Sequence, residues 1–543
     1  MKITVIKTIL LLVFPILLGY FLYDAKMTQG SFNLGQNADP AYVYLFNSMN
    51  LAHGYIPGHI DHPGTVLQYL GAIVVRVTYL VDGTAPTLIE DVMQKPEKYL
   101  HIIANIAIFL NVFASFLFGF LTDKYTKKLW IGIFLQISPL LFIDILVLFV
   151  PKVCAESLIL IPTMGICFLS ILFWFKDDTF TNNSKYIFAF AFILAFGIIT
   201  KITFVPFGII PLLLIASYKR KMYFILVSFL LLVLIGMPAF FSYEYLFGWI
   251  KGLWGHSGHY GSGEKNFLDT TTFFANVRAI MGDNKNFVLA VQIITVIFII
   301  YVIKFKSFFK ENPILCKKIG IYFFIFIVIL CVNVLFVAKH YRPRYLIPLF
   351  SFTYAMLPVF CLFLEEILRD KLLFSKIPLQ KIAIVLCIGI MALMTWNIKN
   401  RYQASVEYFG RYTKGRTETQ MLANKLENAI FLYYYSNSSD KNILVFGINV
   451  YAAGLKSTYH YYLHKMHPDM IEFNPSSGWC YNNEKPIGIK EIIKKKKRIF
   501  LYGGALSDKE KIKIRNSDTE EITFPIKLIQ DNNTDEFIYE VIY

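Results

Sequence analysis

The chain has 543 residues, 56% of them hydrophobic and only 17% charged, with a mean hydropathy of +0.51. Soluble domains carry about a quarter charged residues, so a soluble enzyme, a disordered chain and a coiled coil are excluded and a polytopic membrane protein is left. Lys and Arg exceed Asp and Glu by 53 to 37, a net +16, and the distribution of that excess decides between nucleic-acid binding and membrane topology.

A membrane span needs about 20 apolar residues. The first apolar block, 3–23, follows Lys2, includes Lys7 and lacks a small-residue cleavage site, so it reads as an anchor and not as a cleaved signal. Block 66–81 is apolar enough to cross but carries Arg76 near its centre. Ten further spans follow at about 101–121, 130–149, 157–175, 186–200, 202–217, 223–242, 287–303, 319–337, 346–363 and 382–397. The pair 186–200 and 202–217 is short, is separated only by Lys201, and contains Pro206 and Pro211. Broken helices of this kind are tolerated where they border a protein-lined cavity.

Charge sets the sidedness. With 66–81 lying along the membrane surface, the loops 123–128, 176–185, 218–222, 304–318 and 364–381 share the cytoplasmic side, with clusters such as Lys219, Arg220 and Lys221. This obeys the positive-inside rule, which a crossing by 66–81 would violate. Nucleic acid drops out as a partner. The N-terminus is then cytoplasmic, and segments 24–100, 243–286 and 398–543 share the outer side of what reads as a prokaryotic cell membrane.

From Ile398 onward the chain is mixed, with 21 Lys and Arg against 17 Asp and Glu and no spanning block. The tail reads as α/β, with a helix over 418–433 and strands at 442–446, 498–502, 521–529 and 537–543. Gly447 and Gly503-Gly504 would end two of the strands, and Lys494 to Arg498 reads as a solvated helix end. Seven Cys, six of them in or beside apolar blocks, give no disulfide or zinc spacing. The expected fold is an α-helical polytopic membrane protein of about eleven spans, 1–397, with an extracytoplasmic α/β domain, 398–543.

Several outer residues carry chemical potential. Asp39, in Asn37-Ala38-Asp39-Pro40-Ala41-Tyr42, is either the N-cap of a helix beginning at Pro40 or a general base. Asp61, in His59-Ile60-Asp61-His62-Pro63-Gly64-Thr65, is the nearest second carboxylate. Lys201 runs against the charge bias, which points to an anion such as phosphate. Lys339, His340, Arg342 and Arg344 either bind phosphate or snorkel from a helix end. Glu156 is a helix-start charge or an acceptor-site carboxylate. The stretch holding His256, His259, Tyr260 and five glycines reads as a lid over a sugar headgroup, and its two His lack a third metal ligand.

The order of these features resembles the GT-C glycosyltransferases, nearest the protein O-mannosyltransferase and aminoarabinose-transferase branch. The likeness rests on the Asp-Pro-x-Tyr opening of the first outer loop, His62-Pro63-Gly64-Thr65 before the surface block, Thr200-Lys201 between broken helices, and Arg344-Tyr345-Leu346-Ile347-Pro348. It covers residues 1 to about 365. The resemblance implies inverting transfer of a sugar from a polyprenyl-phosphate donor to an extracytoplasmic lipid, glycan or protein. Asp39 would be the base, Lys201, His340, Arg342, Arg344 and His62 would hold the donor phosphate, and Tyr42, Asp61, Glu156, His256, His259 and Tyr260 would meet sugar or acceptor. The chain departs from the family in lacking an acid next to Asp39 and in having His62 where aminoarabinose-type enzymes tend to have Lys. No cofactor is expected, and a divalent site from Asp39, Asp61 and Glu156 is the disfavoured alternative. An O-antigen-type ligase or polymerase and a lipid-linked sugar transporter are the rival readings.

Overall fold

The computed structural model describes residues 2–34, 38–176, 183–255, 270–338, 341–368, 384–385, 388–389, 392–395, 398–434, 440–451, 453–482, 484–504, 506–531 and 536–543. In chain order the membrane part contains α1 (Lys2–Gln29), α2 (Ala38–Ala52), α3 (Thr65–Asp82), α4 (Leu88–Gln94), α5 (Pro96–Thr126), α6 (Leu129–Ile137), α7 (Ile143–Phe149) and α8 (Leu160–Phe175). Then come α9 (Ser184–Thr200), α10 (Ile209–Leu214), α11 (Tyr218–Phe240), α12 (Tyr243–Gly255), α13 (Thr270–Asp283), α14 (Lys285–Glu311), α15 (Pro313–Ala338) and α16 (Ile347–Leu368). Among the described residues nine helical segments are long and apolar enough to cross a membrane, Thr65–Asp82 among them, and Ser184–Thr200 and Ile202–Leu214 are shorter apolar helices. Half of the expected span 382–397 lies outside the described residues. The segment Pro343–Ile367 is buried throughout its most apolar window, as a helix apolar on all faces must be, and its Phe350, Phe352 and Phe360 sit in the main core.

Helices α1 and α5 lie side by side and antiparallel. Lys26 Nζ donates to Asn105 Oδ1 (2.7 Å) and the Glu97 carboxylate accepts from the amides of Phe32 and Asn33 (2.7 and 3.0 Å) at one end, while Lys7 and Asp123 pair at 3.7 Å at the other. Segment 30–95 therefore leaves and re-enters the bundle at the same end. Within it α3 packs on α2, and Arg76 Nε donates to the carbonyl of Ala52 (2.6 Å), so this charge inside an apolar block caps the C-terminus of α2. Loops expected to be cytoplasmic adjoin pairwise: Lys318 Nζ donates to the carbonyls of Trp174 and Lys176 (2.9 and 3.1 Å), and Arg220 Nη1 to Ser184 Oγ (2.9 Å).

The tail begins with α17 (Ile398–Lys425), which packs along α1 and α7. The expected helix over 418–433 ends at Lys425; Asn428 turns the chain with φ 51°, and Ala429–Tyr433 is β1, an inner strand of the sheet. The expected strand 442–446 lies instead within α18 (Asp440–Tyr451), because Ile443, Leu444 and Ile448 are buried in one apolar cluster with Tyr42, Leu45 and Phe46 of α2. Gly447 is accordingly not a turn residue but a close-packing point against Phe46. The chain continues through α19 (Lys456–Met466), β2 (Ile471–Asn474), β3 (Trp479–Asn482), β4 (Lys485–Ile487), α20 (Ile489–Ile493), β5 (Arg498–Gly503), β6 (Lys511–Arg515), β7 (Glu521–Asp531) and β8 (Phe537–Val541). The eight strands are ordered β4-β3-β2-β1-β5-β8-β7-β6, with β1 parallel to β2 and β5 and the other neighbours antiparallel.

Candidate functional site

Three charged side chains project from places where apolar helices break. Glu156 is in the 3-10 turn Ala155–Leu158 before α8, Lys201 is the extended residue between α9 and the 3-10 turn Ile202–Gly208, and Arg344 is in the 3-10 turn Pro343–Leu346 before α16. Such turns leave backbone and side chains free to serve a site. The breaks are brought together by a short crossing of the first loop: Pro63 and Lys201 form an isolated antiparallel bridge, and the Ile202 amide donates to the His62 carbonyl at 2.8 Å.

At that crossing Lys201 Nζ contacts Glu156 Oε1, and Arg344 Nε reaches the same oxygen at 3.2 Å. Lys201 and Glu156 are buried, at 1% and 4% exposure. The Tyr345 ring lies 4.7 Å from Lys201 Nζ and 5.5 Å from the Arg344 guanidinium, a cation–π platform for both. A third cation, Lys152, is buried between the rings of Phe149 (5.8 Å) and Phe409 of α17 (5.3 Å), and burial lowers its pKa to about 8. His62 stands edge-on to Trp249 of α12 at 5.6 Å; burial, then the Lys201 charge, hold it well below the ordinary histidine range. It therefore offers the site a neutral ring donor and not a charge.

The loop before the bridge is fixed by its own packing. Gln68 Nε2 donates to the His59 carbonyl (2.6 Å), the His59 amide donates to Asn47 Oδ1 (3.0 Å), and Gly64 adopts φ 68° with Tyr44 directly above it. A Cβ at position 64 would fall 2.1 Å from Tyr44 Oη. Gly64→Ala is therefore expected to lower the Tm of the solubilised protein by about 2–4 °C, because left-handed backbone strain of about 1–2 kcal/mol adds to a clash and each kcal/mol shifts the Tm of so long a chain by only about 1 °C. Gly248→Ala, which meets nothing within 4 Å, serves as the control, and equal Tm values for the two variants would contradict this loop geometry.

Of the residues singled out in the sequence, Lys201, Glu156, Arg344 and His62 thus converge. Asp61 is buried immediately before His62 at 2% exposure, whereas Arg342 is exposed. Tyr42 is placed elsewhere: its hydroxyl donates to Glu97 Oε1 at 2.7 Å, in the network that joins α1, α2 and α5. Helix α2 begins at Ala38 and not at Pro40, so Asp39 lies in its first turn and is not its N-cap; its side chain is outside the described residues, as are His256, His259, Tyr260 and His340. Lys152 was not a candidate from the sequence, although a Lys four residues before Glu156, between two apolar blocks, was a visible signal.

No protein-family model and no curated protein matches the chain. Among solved structures it is similar to the crystal structure of ArnT from Cupriavidus metallidurans bound to undecaprenyl phosphate. The match has 10% sequence identity and a TM-score of 0.47, and covers 96% of this chain and 97% of that one. Identity at this level assigns no role to any residue.

Proposed function

We propose that the protein is a membrane glycosyltransferase that moves a sugar from a polyprenyl-phosphate donor to an acceptor on the outer side of the membrane. The observation that carries the reading is the pair of cations, Lys201 and Arg344, held on one oxygen of a buried Glu156. Glu156 neutralises the buried Lys201, and Arg344, its side chain 34% exposed, adds a second positive charge that an incoming anion can reach. The surrounding apolar helices suit the prenyl chain of a lipid phosphate, and Arg and Lys suit its head.

In the proposed reaction the Asp39 carboxylate takes the proton of an acceptor hydroxyl or amine as that atom bonds to the anomeric carbon. The bond from that carbon to the phosphate oxygen breaks, and its electron pair leaves with the polyprenyl phosphate. Lys201 and Arg344 stabilise the charge that grows on this leaving group, and Glu156 holds them in place before the donor arrives. The juxtamembrane placement of α3 and the outer location of segments 24–100, 243–286 and 398–543 belong to the same proposal, as does the absence of a cofactor.

Binding supplies the test. Lys152 and the Arg344 guanidinium share the Phe149 ring (5.8 and 5.3 Å), and Lys152 feels the charges of Arg344 and Glu156. An anion favours its protonated form, so binding takes up a proton and affinity falls as the pH rises above about 8, by at most about tenfold per unit. Polyprenyl phosphate titrated into the purified protein is expected to bind with that pH dependence, and Lys152→Arg, which stays charged, is expected to remove it. Absence of saturable binding at pH 7 would overturn the donor assignment, and affinity that is flat to about pH 9 would remove Lys152 from the site.

A further inference from the structure

A second cluster lies in the tail. Helix α19 presents His460 and His464 one turn apart on the same face, against Glu472 of β2. His460 Nδ1 is 3.8 Å and His464 Nε2 is 3.9 Å from the same Glu472 Oε1. One ligand atom from each of the three residues lies within 4.8 Å of the other two. His460 Nδ1, His464 Nε2 and Glu472 Oε1 are all buried with no hydrogen-bond partner among the described residues, and the two histidines are only 2% and 7% exposed. Buried polar atoms in native proteins are nearly always bonded, so three orphans aimed at one point carry a cost that a cation between them would remove.

The outer contacts orient the donors. His460 Nε2 is 3.0 Å from Asn449 Oδ1 and 3.5 Å from Glu484 Oε1. Both neighbours accept, so Nε2 carries the hydrogen and the lone pair is on Nδ1, which faces Glu472. Asn449 Nδ2 in turn donates to Glu472 Oε2 at 3.4 Å, leaving Oε1 to the cluster. Partners of this kind fix the tautomer and aim of metal-binding His and carboxylate groups.

We infer that His460, His464 and Glu472 form a binding site for a divalent transition-metal ion of the zinc class. Two imidazoles and one carboxylate suit such an ion better than Mg²⁺ or Ca²⁺, which take oxygen ligands. Bonds of 2.0–2.1 Å at tetrahedral angles set ligand atoms about 3.3 Å apart, so closing onto the ion needs only small side-chain movements. The ion would lock α19 to the sheet. That helix docks the tail on the first loop, through Tyr459 Oη to Asn50 Oδ1 (2.8 Å), Lys465 Nζ to Glu90 Oε1 (3.0 Å) and Thr87 Oγ1 to Tyr462 Oη (3.2 Å). The site is separate from the Lys201 cluster and stands whether or not the transferase reading holds.

The test uses the full-length protein in detergent, stripped with chelator and titrated with Co²⁺ alone. One equivalent should bind and give the visible d–d bands of a four-coordinate site, which Zn²⁺ then abolishes. His464→Asn and Glu472→Gln should each weaken binding by roughly tenfold or more. No Co²⁺ uptake by the wild type, or unchanged bands in both variants, would overturn the site and leave plain His–Glu ion pairs. A readout on the wild type alone guards against misfolded variants: Zn²⁺ should raise its Tm and equimolar Mg²⁺ should not, and equal shifts with the two ions would also overturn the proposal.

Discussion

Lys201→Met is expected to lower the transfer rate by about 100- to 1,000-fold, the usual cost of losing one fixed group that stabilises developing charge. It should also destabilise the protein, because removing one partner of a buried ion pair costs about 3–5 kcal/mol. The loss here falls toward the lower figure, since Arg344 remains 3.2 Å from Glu156. The two consequences separate in the double variant Lys201→Met/Glu156→Gln, where no unpaired buried carboxylate is left. Its Tm should return toward that of the wild type while transfer stays depressed. A double variant that regains both stability and rate would make the cluster a structural ion pair and nothing more.

Asp39→Asn is expected to reduce transfer by about 100- to 10,000-fold, the range for losing a general base, with donor binding retained. The substitution is informative because Asp39 stands in the first turn of α2, before Pro40. Asn keeps the shape of Asp and gives up only its charge near the helix N-terminus, about 0.3–1 kcal/mol, so the fold survives and proton abstraction is removed. Measuring the rate of sugar transfer with a saturating polyprenyl-phosphate donor, alongside binding of that donor, distinguishes the cases. Wild-type transfer by Asp39→Asn would move the base to another residue, with the buried Asp61 as the next candidate.

The charged residues at breaks between apolar blocks were legible in the sequence, because a Lys, Glu or Arg is costly there unless it has a purpose. Their convergence was not. It depends on the Pro63–Lys201 bridge and on three separate 3-10 turns, none of which has a local signature. Lys152 does not stand out in the sequence because a Lys flanking a span usually snorkels, whereas here Phe149 and Phe409 enclose it. In the tail, the run Ile443-Leu444-Val445-Phe446 has the composition of a strand, and short apolar runs do not reveal their period; its helical form is fixed by packing on α2. The His460/His464 spacing was likewise visible, but Glu472, from a different element, becomes their neighbour only in the folded tail.

The most direct measurement is a structure of the protein with polyprenyl phosphate in a lipid nanodisc. Phosphate density is expected in contact with Lys201 Nζ and the Arg344 guanidinium, with the prenyl chain running between the apolar helices. Density for the phosphate elsewhere, with the Lys201–Glu156–Arg344 cluster unchanged and closed, would contradict the donor assignment.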